Sequence, residues 1–235
     1  MQSTKNKSLA LNIYLLLTGL FITSLVVSNL IFQKFFYWYP LGKITLLGSP
    51  IFQISVGIIP YPITFLITDL VSEIYGKSKA NKMVVIGIFT SIFAMGIVYL
   101  ADLAPAIKES GVNDKLFHQV FGQTVLAVTA SMIAYLCAQF IDIKIYHFFK
   151  KATKGNHLWL RNNFSTFTSQ GVDTASVLLL LCSFGTLPWN LFLPLFISGF
   201  LFKITVALID TPILYGLVFL MRKKFNLTAN DDLTL

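Results

Sequence analysis

Apolar residues run almost unbroken through six stretches of the chain, separated by short polar segments. The stretches are Leu9 to Phe32, Ile51 to Tyr75, Met83 to Leu100, Thr124 to Ile141, Gly171 to Leu187 and Leu191 to Met221. Each falls near or above the roughly 17–25 residues a helix needs to cross a hydrocarbon core of about 30 Å. Strands of a membrane barrel alternate with period two, whereas Leu9 to Phe32 is apolar nearly throughout, so the pattern is helical. The expectation is an all-α polytopic membrane protein, a bundle of about six transmembrane helices in a single transmembrane domain, residues 1–235.

Two stretches depart from simple spans. Between Ile44 and Tyr75 the chain carries Pro50, Pro60 and Pro62. Proline removes a backbone donor and breaks helices, so the first part reads as a short strand or re-entrant piece ahead of the true helix. The last run, Leu191 to Met221, is long for one upright span and short for two, and it contains Pro194, Gly199, Pro212 and Gly216; a tilted or kinked helix is expected. In the fourth span Ala130, Ala134 and Ala138 recur every four residues beside Ala127 and Ser131, a smooth stripe for close helix packing.

Six spans place both termini on one side. That side holds Lys5 and Lys7; Lys77, Lys79 and Lys82; Lys144, Lys150, Lys151, Lys154 and Arg161; and Arg222, Lys223 and Lys224, 13 basic residues against 4 opposite (Lys34, Lys43, Lys108, Lys115). The positive-inside rule therefore predicts cytoplasmic N- and C-termini. Trp38, Trp159 and Trp189 fall near span ends, where an interfacial aromatic belt sits.

Composition agrees with the pattern: 55% of the 235 residues are apolar and 12% charged, with mean hydropathy +0.73, against roughly a quarter charged in soluble domains. The net charge of +8 belongs to loops between spans, so topology rather than nucleic-acid binding accounts for it. Cys137 and Cys182 lie inside apolar runs, far from any C-x-x-C spacing, and read as packing residues; no cofactor or metal is expected. The first run is about twice a signal-peptide core in length and lacks a convincing cleavage site, so it is expected to be retained.

Charged and amide side chains at membrane depth are costly and point to function. Asp69 and Glu73 stand one turn apart on the second span and share a face. Asn29 sits late in the first span; Gln139 and Asp142 close the fourth; Ser169, Gln170 and Asp173 open the fifth; Lys203 and Asp210 lie two turns apart on the sixth. Glu73 and Asp142 also read as groups snorkelling to the interface. Lys203 also reads as the partner of a structural ion pair with Asp173 or Asp210, and Asn29, Ser169 and Gln170 as interhelical hydrogen-bonding glue. Their number, drawn from at least five spans, favours one polar cavity for a small solute carrying donors and acceptors. No H-E-x-x-H, G-x-S-x-G or phosphate-binding glycine loop is present, so an enzyme is not expected.

At these residues the sequence resembles the queuosine precursor transporter family, formerly grouped with vitamin uptake transporters. The resemblance is carried by Val27-Ser-Asn29, by Tyr61-Pro-Ile-Thr-Phe-Leu-Ile-Thr-Asp-Leu-Val-Ser-Glu-Ile-Tyr-Gly76, and by Ala138-Gln-Phe-Ile-Asp142. It continues through Arg161 to Thr166, Thr168-Ser-Gln-Gly-Val-Asp-Thr174, Phe202-Lys203, Asp210-Thr-Pro and Tyr215-Gly216. Gly171 stands where the family carries a larger apolar residue. The resemblance implies a six-helix multi-pass importer of the bacterial inner membrane for 7-deazaguanine bases: 7-cyano-7-deazaguanine, 7-aminomethyl-7-deazaguanine or queuine. On that reading Asp69 or Asp173 accepts from the guanine-like edge, Lys203 or Gln170 donates to its carbonyl, and Phe65, Phe140 or Phe167 stacks on the ring. Transport is secondary or facilitated, with a proton or sodium ion as coupling partner and Asp69 or Glu73 as coupling carboxylate; a homo-oligomer is compatible with the sequence. The alternative is a substrate-binding subunit of a multi-part ATP-driven vitamin importer, whose small-residue stripe is expected on the first span rather than the fourth.

Overall fold

A computed structural model describes residues 2–32, 34–39, 42, 45–46, 49–50, 53–122, 124–154, 156–185, 187–228 and 231–233. Its helices in order are α1 (Gln2–Ile31), α2 (Tyr61–Ile74), α3 (Lys77–Leu103), the single turn α4 (Asp114–Phe117), α5 (Thr124–Ala152), α6 (Leu158–Ser183) and α7 (Phe192–Phe225). Short strands β1 (Phe35–Tyr37), β2 (Thr45–Leu46), β3 (Ser49–Pro50) and β4 (Gln53–Ser55) lie between α1 and α2. The protein is an all-α polytopic membrane protein. Among the described residues four segments, Asn6–Ile31, Val56–Ile74, Lys77–Leu103 and Trp189–Phe225, are long and apolar enough to span.

The long helices alternate in direction. One end of the bundle gathers the start of α1, the α2–α3 junction, the α5–α6 junction and the end of α7, and most of the lysines and arginines lie there; it is called the basic end below. Tyr14 on α1 donates to the Lys79 carbonyl of α3 (3.1 Å), and Tyr75 donates to the Ala10 carbonyl (2.9 Å), tying the junction to α1. A buried apolar core of Phe21, Leu25, Leu70, Val71, Ile74, Met83, Val84, Ile143 and Leu214 joins α1, α2, α3, α5 and α7. Apolar residues also point outward. On α3, Phe89, Phe93, Ile97 and Leu100, at helical spacing, are exposed and form a face for lipid.

The expected irregular stretch before the second helix is present. β1 pairs antiparallel with β4, Phe35 opposite Ser55 and Tyr37 opposite Gln53, and a 3₁₀ turn over Val56–Ile58 leads to α2. Ser55 caps that turn, its hydroxyl accepting from the Gly57 amide (3.1 Å) and donating to the Phe32 carbonyl. Gly57 is required by proximity: a Cβ there would lie 2.6 Å from the Ser28 carbonyl oxygen and 2.8 Å from Phe32 Cβ. The second helix thus begins at Tyr61, with Pro62 in its first turn, where a missing amide costs nothing; the expected start at Ile51 lies outside the described residues. The last helix runs continuously from Phe192 to Phe225 through Pro212 and ends on Asn226 in the left-handed conformation (φ 54°), behind Arg222, Lys223 and Lys224.

Several expectations need correction. The fifth span starts at Leu158, not Gly171, so Arg161 is not a loop residue: it is 1% exposed inside α6. Its first half is polar because Arg161, Asn162, Ser165, Thr166, Ser169, Gln170, Asp173 and Thr174 all turn inward, a buried polar stripe that hydropathy alone reads as loop. Likewise Lys144 and Lys150 lie on α5, which extends to Ala152. Trp38 packs edge-on against Phe202 (centroids 5.2 Å apart), while Trp159 and Trp189 are exposed at helix starts. Cys182 is buried but Cys137 is exposed on α5. Ala134 and Ala138 are buried, as the packing stripe requires; the side chains of Ala127, Ala130 and Ser131 lie outside the described residues.

Candidate functional site

Tyr61, Phe65, Asp69 and Glu73 stand four residues apart on α2, so one face carries an aromatic pair followed by two carboxylates toward the basic end. α5, α6 and α7 pack around this face.

At its upper end Asp173 of α6 is nearly buried (4% exposed). Its Oδ2 accepts from the Tyr61 hydroxyl at 2.5 Å and from Lys203 Nζ of α7 at 2.6 Å, leaving Oδ1 without a partner. Lys203 Nζ also sits 4.6 Å from the Tyr61 ring centroid, a cation–π contact. Tyr61, Phe65 and Tyr135 cluster, with centroids 5.2–6.1 Å apart. Beside them lies a cavity of about 240 Å³. Its walls include Ser28 and Asn29 of α1 and Phe32 just beyond it, Ile54, Ser55 and Gly57 of the hairpin and turn, Tyr135, Thr174, Gly199 and the Asp173–Lys203 pair. Ligand cavities for drug-sized molecules occupy roughly 300–1,000 Å³, so this space suits a smaller guest, on the scale of a bicyclic base.

One turn deeper, a void of about 30 Å³ is lined by Asp69, Asn162, Thr166, Gln170, Lys203 and Asp210 among apolar neighbours. Asp142 of α5 lies within hydrogen-bonding reach of Asp69 and accepts from the Ser169 hydroxyl at 3.0 Å.

At the basic end Glu73 is 1% exposed and joins four helices. Arg161 of α6 approaches its Oε1 at 2.6 Å, and Arg222 of α7 donates to the same oxygen; Tyr146 of α5 donates to Oε2 at 2.9 Å, with Lys150 Nζ 3.8 Å away. The C-terminal tail lies over this cluster. The Leu233 amide donates to the Ile74 carbonyl (2.7 Å), Asp232 pairs with Lys150 (3.1 Å), and Arg222 donates to the Thr228 carbonyl.

The residues singled out from sequence therefore separate into three places. Asn29, Asp173 and Lys203 border the larger cavity; Asp69, Gln170, Asp210 and again Lys203 border the smaller void. Ser169 stands behind the void through Asp142, and Glu73 belongs to the basic-end cluster. Gln139, fully buried, donates to the Tyr135 hydroxyl (2.7 Å) and borders neither space. Asn29 donates to the Leu25 carbonyl of its own helix (3.1 Å). Of the aromatic candidates, Phe65 is buried against the site, whereas Phe140 is exposed on α5 and Phe167 lines neither space. Tyr61, Tyr135, Arg161 and Arg222 were not anticipated. The Tyr61-x-x-x-Phe65-x-x-x-Asp69-x-x-x-Glu73 spacing carried a signal for Tyr61; nothing local marked the two arginines as partners of Glu73.

No solved structure matches the chain. A "Probable queuosine precursor transporter" of Bacillus subtilis (strain 168) is 29% identical over 163 residues, which cover 69% of this chain and 70% of that protein. The family described as "Putative vitamin uptake transporter" matches residues 55–217, from the end of β4 to well within α7. That range holds every charged side chain of the three places except Arg222 and Asp232, and it covers more than half of the sequence. The chain belongs to that vitamin uptake transporter family and is a multi-pass membrane transporter of a small molecule rather than an enzyme.

Proposed function

We propose that this transporter imports a 7-deazaguanine base, a precursor of queuosine, across the bacterial inner membrane by secondary transport or facilitated uptake, with both termini cytoplasmic. The observation that carries the reading is Asp173: a buried carboxylate with one oxygen held by Tyr61 and Lys203 and the other unpartnered beside the cavity. A guanine-type edge presents adjacent N–H donors, which a carboxylate accepts well, next to a carbonyl, to which an ammonium donates. Asp173 takes the first role and Lys203 the second, while Tyr61, Phe65 and Tyr135 supply a face for the heterocycle. The name of the Bacillus subtilis relative supports this substrate class. The Glu73 cluster closes the basic end, so the cavity of this conformation belongs to the opposite half of the bundle; import requires a second state in which that cluster parts.

The experiment is uptake of radiolabelled 7-cyano-7-deazaguanine, 7-aminomethyl-7-deazaguanine and queuine by cells unable to make queuosine and expressing this chain alone. Accumulation of one of them above vector-only cells supports the reading. No uptake despite verified membrane expression overturns it, and uptake that requires copurifying ATPase subunits overturns its autonomy.

A further inference from the structure

The carboxylates inside the bundle are not equally compensated. Asp173 has Lys203, and Glu73 has Arg161, Arg222 and Lys150. Asp69, Asp142 and Asp210 form no ion pair among the described residues. Asp69 and Asp142 are 3% and 0% exposed, and an uncompensated carboxylate at such depth carries a desolvation cost of several kcal/mol. The void between Asp69 and Asp210 offers mostly acceptors. Asp69 Oδ1, Asn162 Oδ1 and Gln170 Oε1, on side chains at least nine-tenths buried, have no hydrogen-bond partner, and Asp142 Oδ2 behind them has none either. The Asn162 amide nitrogen is turned to Thr211 (3.4 Å), which leaves its oxygen for the void. Lys203 reaches the same space but its ammonium is bonded to Asp173. A void of about 30 Å³ has room for a water-sized guest and not for a heterocycle.

We propose that Asp69, backed by Asp142 and facing Asp210, Asn162 and Gln170, binds a monovalent cation, Na⁺ or a proton, that couples to transport. Carboxylate and amide oxygens are the donors a hard cation takes, and two facing carboxyls equally accept a shared proton. Among the described residues the charged and titratable groups around Asp69 and its void are Tyr61 and Glu73 on α2, Asp142 and Tyr146 on α5, and Asp210 and Lys203 on α7. The geometry links the two guests through Lys203, which borders both spaces: a base that draws the ammonium toward its carbonyl changes the charge facing Asp69. The coupling role rests on the importer reading; the cation site itself does not.

The test uses the purified full-length chain and two readouts. Melting temperature in detergent is compared in NaCl and choline chloride and across pH, and initial uptake of radiolabelled 7-cyano-7-deazaguanine, 7-aminomethyl-7-deazaguanine and queuine into proteoliposomes is compared with an inward Na⁺ gradient, an inward proton gradient and neither. One gradient is expected to stimulate uptake roughly fivefold or more, the range of ordinary coupling energies, and the same cation to raise the melting temperature. In Asp69→Asn and Asp142→Asn the stimulation ratio is expected to fall to about one and the cation-dependent melting shift to vanish; Asp210→Asn, at a half-buried position, serves if those variants do not fold. Wild-type melting insensitive to both cations, or full stimulation retained in the folded variants, overturns the site. A melting shift that Asp69→Asn removes, in a protein that takes up none of the three bases, leaves the cation site standing and overturns the substrate reading instead.

Discussion

Lys203 reaches across from α7 to place its ammonium 2.6 Å from Asp173 Oδ2 of α6 and 4.6 Å above the ring of Tyr61 on α2. Three helices are thus fastened at one point beside the larger cavity, and the fastening is a buried charge pair. Breaking such a pair from one side strands the other charge and costs roughly 3–5 kcal/mol, while removing both charges is often near neutral.

That asymmetry separates structure from function. Lys203→Met and Asp173→Asn, made singly, are expected to lower the melting temperature of the solubilised protein and cut uptake at least tenfold. The double variant is expected to recover most of the stability and none of the uptake. A double-mutant cycle read by melting and by uptake checks this; recovery of uptake in the charge-free protein would show that the pair only braces the bundle.

Glu73 is held by two arginines, a lysine and a tyrosine, so Glu73→Gln leaves the buried Arg161 facing the partly buried Arg222 and Lys150 without the carboxylate they share. Destabilisation of roughly 3–5 kcal/mol is expected, seen as lost membrane accumulation or a much lower melting temperature. Arg161→Lys is expected to rescue little, because a lysine cannot reproduce the guanidinium's bonds to Tyr146 and the Asn156 carbonyl as well as to Glu73. Normal accumulation of Glu73→Gln would refute the role.

Gly57→Ala places a methyl 2.6 Å from the Ser28 carbonyl and must push the 3₁₀ turn off α1. A loss of about 1–3 kcal/mol is expected from overpacking. Because the same turn lines the cavity, uptake is expected to fall more than accumulation. Equal falls in the two measurements would count against a wall role for the hairpin.

The tail carries an acid-sensitive contact. The Thr228 hydroxyl, and then its amide, donate to Asp231 and hold that carboxyl below its ordinary value. A lowered carboxyl contributes above its unfolded pKa of about 4 and loses that contribution as pH falls through the folded value. Exchange protection of the Leu233 amide, docked on Ile74, is expected to hold at neutral pH and weaken in acid, with a smaller acid response in Asp231→Asn. An unchanged response in the variant would exclude Asp231 as the contact.

The long apolar helices were readable because nothing in them competes with hydropathy: α1, α3 and α7 stand where the runs of leucine, isoleucine and phenylalanine predict. Hydropathy cuts α6 short because its hidden face is the polar one, so burial and hydropathy point in opposite directions along Arg161 to Thr174. The candidate site was half legible. Spacing along α2 brought Asp69 and Glu73 to one face, yet their fates differ through partners 73 and more positions away in sequence for Glu73, which no local pattern encodes. Phe140 illustrates the converse: an aromatic inside a motif, exposed on the surface of α5.

Arg222 bonds to Glu73 across 149 positions of chain. At roughly 5–20 residues per second of synthesis, α2 waits on the order of ten to thirty seconds after Glu73 is made before its last partner exists. α2 itself has 14 residues, about 21 Å of helix, and reaches spanning length only together with the 3₁₀ turn over Val56–Ile58 ahead of it. During that interval Tyr146 and Lys150 of α5 and Arg161 of α6 are made first, and Arg222 comes last. The cluster around Glu73 is therefore complete only once the final helix has been made.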